Sequence, residues 1–232
     1  MGGRFAKAAV LLFSLAVFAS CGGGGSGSGG QAQLRFVNAS PNEGEVKILL
    51  DGTIVANNIN YESSSGYLGM SSGSHTIQVN LVGTSTGVLT VPVSVSGGTN
   101  YTLMMDNFAS QLGHKMFTDS NSAPATGNFR IRFINESPSM GSVDVYLVPA
   151  GDSLAGQTPI NIVGKPIPFE GDTGYSPHAS GSYQIYFTSP GTTFAYIATT
   201  SLAFSGGQTR TIVALNSTSG GYTSITLKDI NN

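Results

Sequence analysis

Two stretches of this chain share one pattern, and that duplication constrains the fold more than any other feature. Leu34-Arg35-Phe36-Val37-Asn38-Ala39-Ser40-Pro41 returns as Ile131-Arg132-Phe133-Ile134-Asn135-Glu136-Ser137-Pro138, 97 residues further on. A 232-residue chain that repeats itself at this distance reads as two units of roughly 100 residues, each long enough to bury its own core. The boundaries read from the sequence are a leader (1–20), a Gly/Ser tether (21–32), a first unit (33–121), a linker (122–128) and a second unit (129–232).

Within the units the hydrophobic period is two, not 3.6. Leu34 and Phe36 fall on one face of a strand, with Arg35 and Val37 on the other, and Ser40-Pro41 ends it because proline has no N–H for a ladder. Val46, Ile48 and Leu50 form the next stripe, closed by Asp51-Gly52, a strong two-residue hairpin signal. Further stripes follow at His75 to Leu81, Leu89 to Val95, Tyr101 to Met105 and Lys115 to Thr118, with His75 at an inward-reading position. About seven short strands with turn signals between them predict an all-β fold: two tandem antiparallel β-sandwiches of immunoglobulin type.

The second unit answers the first until Leu147, after which the register shifts by 11 residues. An insertion therefore lies in 148–173, a segment carrying Pro149, Pro166, Pro168, Glu170 and Asp172. Long loops on sandwiches often carry binding function, so these five residues are the candidate ligand site; the alternative is an extended edge segment lying against the sheet.

Composition bears on function chiefly through charge. Charged residues are only 9%, against 32 glycines and abundant Ser and Thr, so the surface is polar without being strongly charged. Beyond the leader, 8 basic side chains face 12 acidic ones, and the basic ones are scattered, which argues against a nucleic-acid partner. Arg4 and Lys7 precede an apolar run from Ala8 to Phe18, too short for a permanent span, and Ala19-Ser20 lead into the single cysteine, Cys21. This reads as an export signal. Phe18-Ala19-Ser20-Cys21 resembles the bacterial lipobox, whose cysteine is acylated and becomes the mature N-terminus; Phe18 stands where Leu is usual. A lone cysteine in an exported chain has no disulfide partner, and lipidation accounts for it. The Gly/Ser run from Gly22 to Gly30 is a tether of about 16 Å r.m.s. span. The expected location is the bacterial envelope, lipid-anchored, with Gly22 in place of a retention Asp leaning towards an outer membrane.

The signs of chemistry are weak. His75, His114 and His178 do not recur between units and have no second His or Cys at metal spacing, so no metal site is expected. Glu43-Gly44-Glu45 and Glu170-Gly171-Asp172 read as turn carboxylates. There is no Gly-x-Ser-x-Gly elbow and no phosphate-binding glycine loop. No cofactor is expected. Nine tyrosines, without any Trp, leave open stacking against a glycan.

The motif around Arg35 and Arg132, with Val143-Asp144-Val145-Tyr146-Leu147, Gly181-Ser182-Tyr183-Gln184-Ile185 and Gly206-Gly207-x-x-Arg210-Thr211-Ile212, resembles the bacterial family called domain of unknown function 4397. The resemblance covers nearly all of the chain beyond the tether, more fully in the second unit. It implies exported, often lipid-anchored, immunoglobulin-like repeats and no activity. The expectation is a non-catalytic, membrane-anchored envelope protein presenting two sandwiches to another envelope protein or a matrix polymer. Its alternatives are a glycan-binding or glycan-acting module using the 148–173 loop, and an assembly subunit pairing by sheet edges.

Overall fold

The computed structural model describes residues 30–120, 122–161 and 164–229. The leader, Cys21 and nearly all of the Gly/Ser tether lie outside the described residues. Eight strands make the first half: β1 (Ala32–Asn38), β2 (Val46–Leu50), β3 (Thr53–Ile59), β4 (Ser63–Met70), β5 (Gly73–Leu81), β6 (Gly87–Val95), β7 (Asn100–Asp106) and β8 (Gly113–Asp119). The second half has β9 (Asn128–Asn135), β10 (Asp144–Pro149), β11 (Gly171–Asp172), β12 (Ser176–Ala179), β13 (Gly181–Thr188), β14 (Ala195–Ala198), β15 (Leu202–Phe204), β16 (Thr209–Asn216) and β17 (Tyr222–Lys228). A single 3-10 turn at Ala109–Gln111 is the only helical element among the described residues.

The strands form four sheets. In the first half, β4-β1-β7-β8 packs against β3-β2-β5-β6. In the second, β9-β16-β17 with β11 and β12 on the far side of β9 packs against β10-β13-β14, with β15 also on β13. This is the expected all-β sandwich architecture. One pairing in each half is parallel: β1 with β7, and β9 with β16.

Period-two alternation explains the layers. Leu34 and Phe36 of β1 and Leu103 and Met105 of β7 point into the first core, while Phe129, Ile131 and Phe133 of β9 and Ile212 of β16 point into the second. The opposite faces of these strands are not wet. Val37, Met104 and Phe117 meet Ile134, Val213, Leu215 and Leu227 in a third cluster, so the two sandwiches stack through a buried junction. Strands covered on both faces should read as continuously buried, and all seven residues of β7 are.

Two turns show how the sequence sets the strand ends. Asp51 (φ 49°) and Gly52 (φ 83°) both sit in the left-handed region, as the tight β2–β3 hairpin requires. Gly98 (φ 74°) and Gly207 (φ 89°) close equivalent turns, each donating its N–H back to the start of its half: to Gln31 O at 3.0 Å and to Asn128 O at 2.8 Å.

Candidate functional site

The repeated motif is the natural place to seek a site, and the structure gives its Phe, Asn and Arg structural tasks. The Phe fills the core. The Asn clamps the turn that follows: Asn38 Nδ2 donates to Gly44 O and Ile59 O, both at 3.3 Å, and its Oδ1 accepts from Ser40 N. Asn135 does the same with Gly141 O (2.7 Å) and Ile167 O (3.3 Å), accepting from Ser137 N.

The Arg reaches across the junction. Arg35 Nη2 pairs with Asp229 Oδ1 of the second half at 2.8 Å, and Arg132 Nη2 pairs with Asp119 Oδ1 of the first half at 2.5 Å. Each guanidinium also donates through Nε and Nη2 to a threonine of its own half, Thr102 or Thr211, and through Nη1 to a carbonyl of the other half, Lys228 O or Thr118 O. Those threonines donate onward to Asp119 and Asp229. Tyr67 and Tyr175 complete the set, donating to Asp119 and Asp229, with the two guanidiniums 4.7 and 4.6 Å from their ring centres. Burial pushes both phenols well above the ordinary tyrosine range. The paired Arg and Asp side chains are at most 2% exposed, so this is a satisfied internal network. Sequence reasoning read the arginines as scattered and did not pick out Asp119 or Asp229. Their recurrence at equivalent strand ends was the available signal.

The second polar cluster at the junction is not satisfied. Asp106, at the end of β7, and Glu136, just after β9, are fully buried, and none of their four carboxylate oxygens has a hydrogen-bond partner. Burial raises the Asp106 carboxyl to about 7, with the Glu170 charge adding and Lys115 opposing. Burial likewise raises Glu136 well above its usual value, helped by Asp106 and Glu170 and again opposed by Lys115. Among the described residues, no group of three or more His, Cys, Asp or Glu is placed to hold a metal ion.

The candidate loop residues are partly brought together. Pro166, Pro168 and Asp172, with Lys165 and Ile167, line a shallow depression of about 330 Å³. Pro149 lies apart, at the end of β10 opposite Tyr183, and Glu170 sits on the turn before β11 with φ 60°. Much of the loop does the work of an edge strand. Ile160 N donates to Val145 O, and Ile167 exchanges both backbone bonds with Val143 at 2.7 and 2.9 Å. Ile167 thus takes the place that Ile59 of β3 holds in the first half, down to the same asparagine bond.

Of the histidines, His75 has the most suggestive neighbours: Nδ1 lies 2.7 Å from Asp51 Oδ2, and Nε2 lies 3.3 Å from Ser71 Oγ. A serine, histidine and aspartate in a row evoke a nucleophilic triad, but the polarity is wrong. Nε2 is closer still to the Ser71 carbonyl oxygen, at 2.9 Å, which can only accept. Each ring nitrogen therefore faces an acceptor, and both donate when the ring is protonated. The Asp51 hydrogen bond raises the His75 pKa, and the same bond lowers that of Asp51. This is a surface clip. His178 is half-buried against Phe129, its pKa lowered by burial.

A second concavity lies in the second half, between the edge strands β14 and β17. It is a groove of about 480 Å³ lined by residues of 196–202 and 222–226.

No curated protein matches the chain. Among solved structures it resembles a streptococcal protein described under "Alpha-glucan binding by a streptococcal virulence factor", at 11% identity over 78% of this chain and 92% of that one, with a TM-score of 0.26. It also resembles CBMbc, a family CBM26 module of Eubacterium rectale Amy13K solved with maltoheptaose, at 14% identity over 86% and 97% of the two chains, with a TM-score of 0.25. The family match covers the first half and stops within β10, although the motifs quoted from the sequence are fuller in the second. Residues 32–146 match the family model described as Domain of unknown function (DUF4397), the family that the Arg35–Pro41 and Arg132–Pro138 motifs resemble.

Proposed function

We propose that this is a lipid-anchored, non-catalytic protein of the bacterial envelope, exported on its leader, acylated at Cys21 and presenting the stacked sandwiches as one stiff body to another envelope component. The observation that carries the reading is where the reactive side chains have gone. Two arginines, two aspartates and two tyrosines that would otherwise suggest a site are consumed in joining the halves. The triad-like histidine has both nitrogens held against acceptors, Asp51 Oδ2 and Ser71 O. A body joined in this way holds its outer surfaces in fixed relation, which suits presentation. The depression at Lys165–Asp172, with a proline and isoleucine floor between one cation and one anion, suits a protein contact.

Fractionation of cells expressing the full-length chain tests the anchor. Wild type is expected with membranes and Cys21→Ala in the soluble fraction, with loss of label from a clickable palmitate analogue. Retention of Cys21→Ala on membranes overturns the anchor. The glycan-binding alternative finds its support away from the 148–173 loop, in the groove beside β14.

A further inference from the structure

The two halves differ at one outer edge. In the first, β6 is unbroken and pairs with β5 along its length, from Gly73–Val95 to Asn80–Gly87. In the second, the corresponding span divides into β14 and β15, both paired to β13; Thr199 still donates its N–H to Ile185 O at 3.0 Å, and residues 200–201 leave the ladder. The break leaves an open groove between the edge of one sheet and β17 of the other.

We propose that this groove binds a chain of uncharged sugars. Two tyrosines, four threonines and a serine are among its ten lining residues, and none of the ten is charged. Hydroxyls both donate and accept, as sugar hydroxyls do, so they can pair with a polyol in many orientations at no cost in buried charge. The aromatic component is a chain of three rings. Phe194 meets Tyr196 edge to face at 5.6 Å and 86°, and Tyr196 meets Tyr222 at 5.4 Å and 68°. Tyr222 is fixed by donating to Ser139 O at 3.1 Å. Phe194 stands at the hairpin tip between β13 and β14, 66% exposed, one of two large hydrophobics so exposed among the described residues. Its ring is held by Tyr196 instead of by the core, so an apolar face waits in water at little further cost in side-chain order. Sugar rings present such aromatics with C–H faces and direct their hydroxyls sideways, where the threonines are.

Competing occupants fit less well. A polyanion finds no cation in the lining. A partner strand finds at β14 an edge of four residues that ends in a break, a poor template for a ladder. The inference goes beyond the scaffold reading and does not depend on the anchor.

The test is calorimetric titration of the mature, detergent-solubilised protein with soluble oligosaccharides of neutral glucans and mannans, and with polygalacturonate as the acidic control. Binding to at least one neutral glycan is expected, weakened about tenfold or more by Phe194→Ala, kept by Phe194→Trp and abolished by Thr226→Arg, which places a long charged side chain in the groove. Phe194 and Thr226 are exposed, so unchanged melting temperatures should accompany these losses. Failure of wild type to bind any neutral glycan overturns the proposal, as does binding to polygalacturonate alone. Binding that survives both Phe194→Ala and Thr226→Arg places the glycan elsewhere and overturns this site. The fractionation of Cys21→Ala reads location, so failure there is distinguishable from failure here.

Discussion

The two halves meet at their junction through equivalent strands, yet the two ends of that junction are filled oppositely. Ala39, just after β1, and Leu215, near the end of β16, belong to the apolar cluster. The positions equivalent to them in the other half are Glu136 and Asp106, which carry the unpartnered carboxylates. The backbone is the same at both ends: Ala39 N donates to Met105 O at 2.8 Å, and Glu136 N donates to Ala214 O at 3.0 Å. Between these ends the Arg–Asp–Thr–Tyr network is nearly symmetric. A duplicated fold has thus kept one polar device in both copies and placed a second, strained one on a single side.

The largest effect should come from breaking the shared device. Arg35→Ala or Arg132→Ala removes one side of a buried ion pair, a loss of about 3–5 kcal/mol. In a chain of this size that lowers the melting temperature by roughly 6–20 °C. If the pseudo-symmetry is energetic as well as geometric, the two variants should melt within a few degrees of each other. Calorimetry showing one arginine to be silent would break the comparison.

A smaller effect should follow from making the ends alike. Asp106→Leu with Glu136→Ala installs the pair found at the other end. Both carboxyls have folded pKa values above their unfolded ones, so the folded state prefers them protonated. Their contribution is therefore favourable at low pH and declines as pH rises through the unfolded range near 4, until each ionises in the fold: Asp106 at about 7 and Glu136 also well above its usual value. Wild type should lose stability between pH 4 and 7 by this route, while the double variant should be flatter and, at neutral pH, about 2 kcal/mol more stable. Denaturant melts at several pH values measure this directly, and a variant as pH-sensitive as wild type would remove the acids from the account. Glu170 and Lys115 modulate the pair, so Lys115→Met should steepen the decline.

What the sequence made legible follows from period and punctuation. The stripes at Val46–Leu50, Ile77–Leu81 and Leu89–Val95 and the Asp51-Gly52 hairpin could be read because strand alternation and left-handed turns have local signatures. The stacking of the sandwiches had no such signature. Arg35 alternates with Leu34 and Phe36 just as a solvent-facing residue would, and only the fold shows its face covered. The 148–173 insertion was visible as a register shift, but its use of Ile160 and Ile167 as edge residues was not, since prolines and glycines mask a strand that pairs through isolated bonds. The groove escaped because it lies beside a short gap in the ladder, 200–201, which leaves no motif.

The smallest effect sharpens the comparison at one more pair of equivalent positions, His75 and Tyr183. Tyr183 Oη donates to Ala179 O at 2.7 Å, and His75 Nε2 lies 2.9 Å from Ser71 O, the matching carbonyl. The histidine adds what tyrosine cannot, a second donor facing Asp51. Its raised pKa means that its stabilisation is fully present below the unfolded value of about 6.5 and is lost as pH rises through the folded one. The lowered pKa of Asp51 runs the other way, its contribution being lost in acid. The clip should be strongest between those limits, and slight, because the Asp51 side chain is 51% exposed and salt screens such pairs. An NMR titration of the His75 ring should give a midpoint above the ordinary value that falls in Asp51→Asn. His75→Tyr should keep the bond to Ser71 O, as the second half does, and lose the pH response. A His75 midpoint unmoved by Asp51→Asn would show that the aspartate is not what holds its proton.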